Sequence, residues 1–258
     1  MSDLLKLEKR GHTAIITLNN PPANTWTPES LRYLETLVNQ LNEDKDNYAL
    51  IITSESEKFF SAGADLNQFN HDDKGKSFEF SLAFGEAFEA LSNYTGVSIA
   101  AITGYAMGGG LEVALSCDIR ICEEQSQMAL PEAAVGLLPC GLGSQQLSWL
   151  VGEQWAKRMI LLGERLKADK AEQIGLVSEV VPTGSALEKA LELAGKVESQ
   201  SPTSVRFCKE LIQEARSGDM TAAYSKEREL FVKLWDTQDQ KEGVGAFLEK
   251  RKPEWKNA

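Results

Sequence analysis

Three short segments of this sequence gather the residues able to do chemistry. Glu112 closes the run Gly104-Tyr105-Ala106-Met107-Gly108-Gly109-Gly110-Leu111-Glu112, Glu132 ends Ala129-Leu130-Pro131-Glu132, and Ser61-Ala62-Gly63-Ala64-Asp65-Leu66 follows Phe59-Phe60. Two carboxylates in unequal surroundings can act as a base and an acid in proton transfer. Glycine-rich backbone that passes from a strand into a helix start exposes N–H groups with positive partial charge, which suits a developing oxyanion. Glu112 comes three residues after Gly109, so on a helix it returns to the same face about one turn later. Pro131 restricts Leu130 to extended backbone and sets Glu132 at a rigid bend. The two glutamates stand twenty residues apart, and only the fold can bring them together. Taken singly, each segment also reads as a tight turn or as a first-turn glutamate that favours a helix dipole.

Other catalytic chemistries have little to work with. The two histidines, His12 and His71, are far apart in sequence, which rules out a multi-His metal site and leaves at most one for a Ser-His-Asp triad. Both fall in polar stretches expected to be exposed loops. The cysteines, Cys117, Cys122, Cys140 and Cys208, match neither a CxxC ligand pair nor a dense disulfide framework and read as reduced thiols. A net charge of −11, from 27 Lys and Arg against 38 Asp and Glu, repels nucleic acid and anionic membrane surfaces. Met1-Ser2-Asp3 carries no basic and apolar leader pattern, and no apolar run approaches a membrane span. The cytoplasm is the expected location.

The positioning elements are short buried strands alternating with helices. Thr13-Ala-Ile-Ile-Thr-Leu18 and Tyr48-Ala-Leu-Ile-Ile-Thr53 read as strands. Between them Thr27 is an N-cap, Pro28 a first helical residue, and Leu31, Leu34, Val38 and Leu41 keep helical spacing. Residues 98–103 predict a further strand, leading through the glycine run into a helix with Leu111, Val113, Ala114 and Leu115. From about Gln145 the pattern turns helical, with Trp149, Leu150, Trp155, Met159 and Leu162 spaced for one buried face. Later helical stretches fall near 187–198, 203–216 and 222–235. An apolar set, Phe231, Leu234, Trp235, Phe247 and Leu248, must pack on the core or on a neighbouring subunit.

Taken together, the motifs resemble the crotonase, or enoyl-CoA hydratase/isomerase, family. The matching pieces are the Ser61–Asp65 and Gly104–Glu112 segments, Pro131-Glu132, Gly136-Leu137-Leu138-Pro139, Gly175-Leu176-Val177 and Phe247-Leu248-Glu249-Lys250-Arg251, in an order that spans nearly the whole chain. The resemblance implies an α/β fold: a spiral of ββα units over residues 1–195 carrying the active site, then a helical region over 196–258 for assembly into a homotrimer or a dimer of trimers. It implies that the N–H groups of Ala64 and Gly109 hold the thioester oxygen of an acyl-CoA. It further implies that Glu112 and Glu132 carry the acid–base chemistry. CoA would lie along Ala62, Ala64, Asp65, Leu66 and Gly108, with Lys58 near its phosphates and Phe247 and Lys250 reaching its nucleotide end, often from an adjacent subunit. No metal or further cofactor is implied, because addition of water involves no electron transfer.

The expected reaction is syn-type addition of water to trans-2-enoyl-CoA in fatty-acid or acyl-CoA degradation. The alternatives are an enoyl-CoA isomerase or a hydratase of a branched or aromatic acyl-CoA, with residues 68–92 lining the acyl pocket. From another class, the alternative is a non-catalytic RNA- or protein-binding relative, which the net charge and the paired glutamates disfavour. Several positions depart from the family pattern: Cys140 and Leu142 in the loop after Pro139, where glycine is common at 140, Asn67 where lysine is frequent, Thr103 for asparagine, and Ser98 for proline.

Overall fold

The computed structural model describes residues 4–218 and 220–258, so Met1-Ser2-Asp3 lies outside the described residues. In chain order the elements are β1 (Leu5–Arg10), β2 (Thr13–Leu18), α1 (Pro28–Glu43), β3 (Ala49–Ser54), β4 (Phe59–Ser61), α2 (Lys74–Ser92), β5 (Val97–Ile102), β6 (Tyr105–Met107), α3 (Gly109–Leu115), β7 (Ile119–Glu123) and β8 (Gln127–Ala129). They continue with α4 (Gly143–Leu161), β9 (Leu166–Lys167), α5 (Ala168–Gln173), β10 (Glu179–Val181), α6 (Ala186–Glu198), α7 (Pro202–Glu214), α8 (Met220–Lys233) and α9 (Gln238–Glu249).

Successive strand pairs divide between two sheets. The larger runs β1-β2-β3-β5-β7-β10 and the smaller β4-β6-β8-β9. β3, β5 and β7 pair in parallel in the first, and β4, β6 and β8 pair in parallel in the second. After the β1-β2 hairpin, the steps β3-β4, β5-β6 and β7-β8 each move the chain from the larger sheet to the smaller. The helix after each of the first two returns the chain to begin the next turn, which makes a spiral of ββα units.

The β-branched runs seen in the sequence are buried because the large sheet is covered on both faces. Ile16, Leu50, Ile52 and Ala100 pack toward α1 and α2, while Ile15, Ile51, Ile99 and Ala101 pack toward Ala186, Ala190 and Ala194 of α6. α1 starts where expected: the Ser30 N–H donates to Thr27 Oγ1 at 3.2 Å and the Thr27 N–H donates to Ser30 Oγ at 2.9 Å. Its Leu31, Leu34, Val38 and Leu41 are buried.

The helical third differs from the sequence reading in two respects. α4 is broken at Gly152 (φ 76°, ψ 159°), so one helical stripe cannot continue through it. Trp149 and Leu162, expected on its buried face, are 56% and 76% exposed. In α8, α9 and the turn between them, Phe231, Trp235, Phe247 and Leu248 are exposed, as a face left for a neighbouring subunit would be. The histidines are half-buried rather than exposed: His12 stacks on Tyr48 with ring centroids 4.3 Å apart, and His71 Nδ1 accepts from the Asp73 N–H. Among the described residues no helix is long and apolar enough to cross a membrane.

Candidate active site

The spiral brings the three chemical segments to one place. β4 ends at Ser61, and the backbone beyond it bridges to Trp26: the Trp26 N–H donates to Gly63 O at 2.8 Å and the Asp65 N–H to Trp26 O at 3.0 Å. The Ala64 N–H takes no part in that bridge. Gly63 has φ +87°, and a Cβ there would stand 2.6 Å from Met107 O and 3.1 Å from the Gly109 nitrogen, so only glycine allows the two loops to meet. Gly109 is the first residue of α3, and its N–H has no intrahelical carbonyl to bond.

Glu112 sits on α3 one turn on, 2% exposed. Its Oε1 accepts N–H bonds from Gly141 at 2.8 Å and Gly143 at 2.9 Å, and the Cys140 amide adds a further favourable contact. Burial, reinforced by the charge of Glu132, pushes the Glu112 carboxyl up to about 7 against the pull of these amides. Glu132 opens a short 3-10 turn, Glu132–Val135, where a simple bend was expected. Its carboxylate lies beside Gly108, since a Cβ on that glycine would be 3.0 Å from Oε1. Both Glu132 oxygens are buried without a protein hydrogen-bond partner, and burial raises this carboxyl as well. One carboxylate is thus held by amides and the other is left free to meet a ligand.

Both glutamates line a cavity of about 500 Å³, together with Ala62, Ala64, Asp65, Leu66, Gly108 and Gly109. Eight of the sequence-predicted positions therefore converge. Lys58, Phe247 and Lys250 do not line it: Lys58 Nζ lies 5.3 Å from the Phe59 ring centroid, and Phe247 and Lys250 are exposed at the end of α9. Phe69 and Phe84, inside the 68–92 stretch expected at the acyl pocket, line the cavity, whereas sequence reasoning missed the amide clamp on Glu112. The only sequence signal for that clamp is the spacing Gly141-x-Gly143.

The atypical positions make local bonds. The Ser98 N–H donates to Asp118 Oδ2 at 2.8 Å, a bond proline cannot make, and the Asn67 side chain donates to Asp65 Oδ1. Thr103 Oγ1 donates to Ser56 O. A larger cavity of about 770 Å³ lies between α4 and α7, but neither glutamate lines it. Its Lys209 is paired with Asp118, and its Arg120 donates to backbone carbonyls such as Cys117 O and Leu176 O. Among the described residues no group of three or more His, Cys, Asp or Glu side chains is placed to hold a metal.

A spiral of ββα units followed by C-terminal helices is the crotonase fold. The family model described as enoyl-CoA hydratase/isomerase matches residues 8–258, so this chain belongs to the enoyl-CoA hydratase/isomerase family. The short-chain-enoyl-CoA hydratase of Clostridium acetobutylicum is 36% identical over 249 residues, 96% of this chain and 95% of the relative. The solved structure of Pseudomonas aeruginosa DspI superposes with a TM-score of 0.95 at 60% identity, covering 98% of this chain and 97% of that one. An enoyl-CoA hydratase structure from Bacillus anthracis gives a TM-score of 0.94 at 33% identity, covering 99% and 100%.

Proposed function

We propose that this enzyme is a hydro-lyase that adds water across the double bond of trans-2-enoyl-CoA, with syn-type geometry, to give 3-hydroxyacyl-CoA. The observation that carries the reading is the placement of two buried carboxyls, one clamped by amides and one free, in the cavity that also holds the Ala64 and Gly109 backbone. Glu112 orients a water and takes its proton as the oxygen attacks C3, and Glu132 delivers a proton to C2. The Ala64 and Gly109 N–H groups bind the thioester oxygen as it gains negative charge, which lowers the barrier to the enolate-like transition state.

The chemistry needs one proton shared by the pair. Two carboxyls in a partly dry cavity resist double ionisation, and both are raised here. The loop amides at Glu112 stabilise its ionised form against burial, while neither Glu132 oxygen is held by a loop or side-chain donor, and Glu132 is the member assigned the proton. The acyl chain would lie against Phe69, Phe84 and Leu138, and CoA would leave past Ala62, Asp65, Leu66 and Gly108. Lys58, Phe247 and Lys250 would meet the nucleotide end only in an assembly. Residues 196–258 would provide that assembly, a trimer or a dimer of trimers, with the exposed Phe231 and Trp235 covered by a neighbour. Cytoplasmic acyl-CoA degradation is the setting this chemistry fits, with no cofactor beyond the substrate's own CoA.

The test is crotonyl-CoA in ¹⁸O-labelled water. The expected result is loss of the conjugated enoyl-thioester absorbance and a 3-hydroxybutyryl-CoA product with one labelled oxygen at C3. Unchanged crotonyl-CoA at high enzyme concentration would overturn the reading.

A further inference from the structure

We propose that the Cys140 side chain sets the size of the water site between Glu112 and Glu132, and so how fast this enzyme adds water relative to how fast it exchanges the proton at C2. The inference rests on the hydratase reading. It starts from the loop 140–143, which holds Glu112. Two of its four residues cannot carry a side chain there: a Cβ on Gly143 would stand 2.6 Å from Glu112 Oε1, and one on Gly141 would stand 2.4 Å from the Phe88 ring and 3.2 Å from Glu112 Oε2. Leu142, at φ +71°, packs against the core and does not line the cavity. Cys140 is thus the loop's contribution of side-chain volume to the cavity that contains both carboxyls.

A water that attacks C3 must fit against the Glu112 carboxylate while the acyl chain occupies the apolar wall. Glu132 offers two buried oxygens with no protein partner, and Cys140 lines the cavity along with both carboxyls. Enlarging that space or filling it acts on water addition. Proton exchange at C2 uses the same oxyanion donors and the same carboxyl pair but adds no oxygen: with the shared proton on Glu112, ionised Glu132 takes the C2 proton as the C2–H bond breaks, the new Glu132 O–H exchanges with solvent, and a C2–D bond forms as the deuteron returns to the enolate carbon. The two reactions therefore separate the water site from the rest of the machinery.

The experiment measures crotonyl-CoA hydration and butyryl-CoA C2 exchange in deuterium oxide for the wild type and for Cys140→Gly, Cys140→Ser and Cys140→Val. One methylene-sized change in a close-packed pocket alters rates by about 10-fold. The hydration-to-exchange ratio is expected to rise several-fold in the Gly variant, to stay near wild type in Ser, and to fall by about 10-fold in Val. If Val does not fold, the Gly and Ser pair carries the test. A ratio that is the same in wild type and Gly, with both reactions present, overturns the role of Cys140. A wild type that neither hydrates nor exchanges refutes the hydratase reading itself, and with it this inference.

Discussion

Glu112→Gln should make the folded protein more stable at alkaline pH while removing its activity. The substitution keeps an oxygen to accept from Gly141 and Gly143, at 2.8 and 2.9 Å in the parent, and removes the ionisation. Because its carboxyl is raised from 4.5 to about 7, Glu112 binds its proton more tightly in the folded chain than in the unfolded one. That contribution to stability is fully present below about 4.5 and is lost as pH rises through about 7. At about 1.36 kcal/mol per pH unit the whole effect is about 3 kcal/mol, of which roughly 2–3 kcal/mol falls between about pH 5 and 8.5. The glutamine side chain has no such dependence. Urea unfolding followed by tryptophan fluorescence, at matched protein concentration, should show the variant gaining about 2–3 kcal/mol on the wild type over that range. A gap between the two proteins that is the same at pH 5 and pH 8.5 would show that folding does not raise the proton affinity of the Glu112 carboxyl.

Two further outcomes follow from local geometry. Gly143→Ala places a methyl group 2.6 Å from Glu112 Oε1, so the carboxylate must leave its amides; kcat should fall by about 100-fold and the fold should lose about 1–3 kcal/mol to crowding and to the lost N–H bonds, and steady-state kinetics beside a melting curve checks this. Thr27→Ala removes the side-chain acceptor for the Ser30 N–H at the start of α1 and should cost about 1 kcal/mol in urea unfolding without altering turnover.

Much of the large sheet is legible in the sequence because a strand buried on both faces is apolar along most of its length, as residues 49–52 of β3 are. β1 is not, because it is an edge strand whose Leu5 alone is buried, and Leu-Lys-Leu-Glu-Lys-Arg reads as a polar lead-in. The three-residue strands β4, β6 and β8 are too short for any periodicity to reveal them. The break at Gly152 hides for a different reason, since an isolated glycine inside a helical pattern is usually tolerated. At the site, the residue types were visible but their meeting was not. Glu112 and Glu132 converge because β6 and β8 pair in parallel and the Gly108 N–H bonds Ala129 O, contacts that no local rule encodes. The resemblance in motif order implied that convergence, while the exposure of Lys58, Phe247 and Lys250 is a matter of tertiary placement that residue type does not encode.

Whether Glu112 and Glu132 act together on one substrate is tested by the crotonyl-CoA hydration rate of the wild type beside Glu112→Gln and Glu132→Gln. Acid–base groups of this kind contribute about 10²–10⁴-fold each, so each variant should lose at least about 100-fold in kcat while still binding a saturated acyl-CoA. Hydration that proceeds at the wild-type rate in either variant would contradict the account.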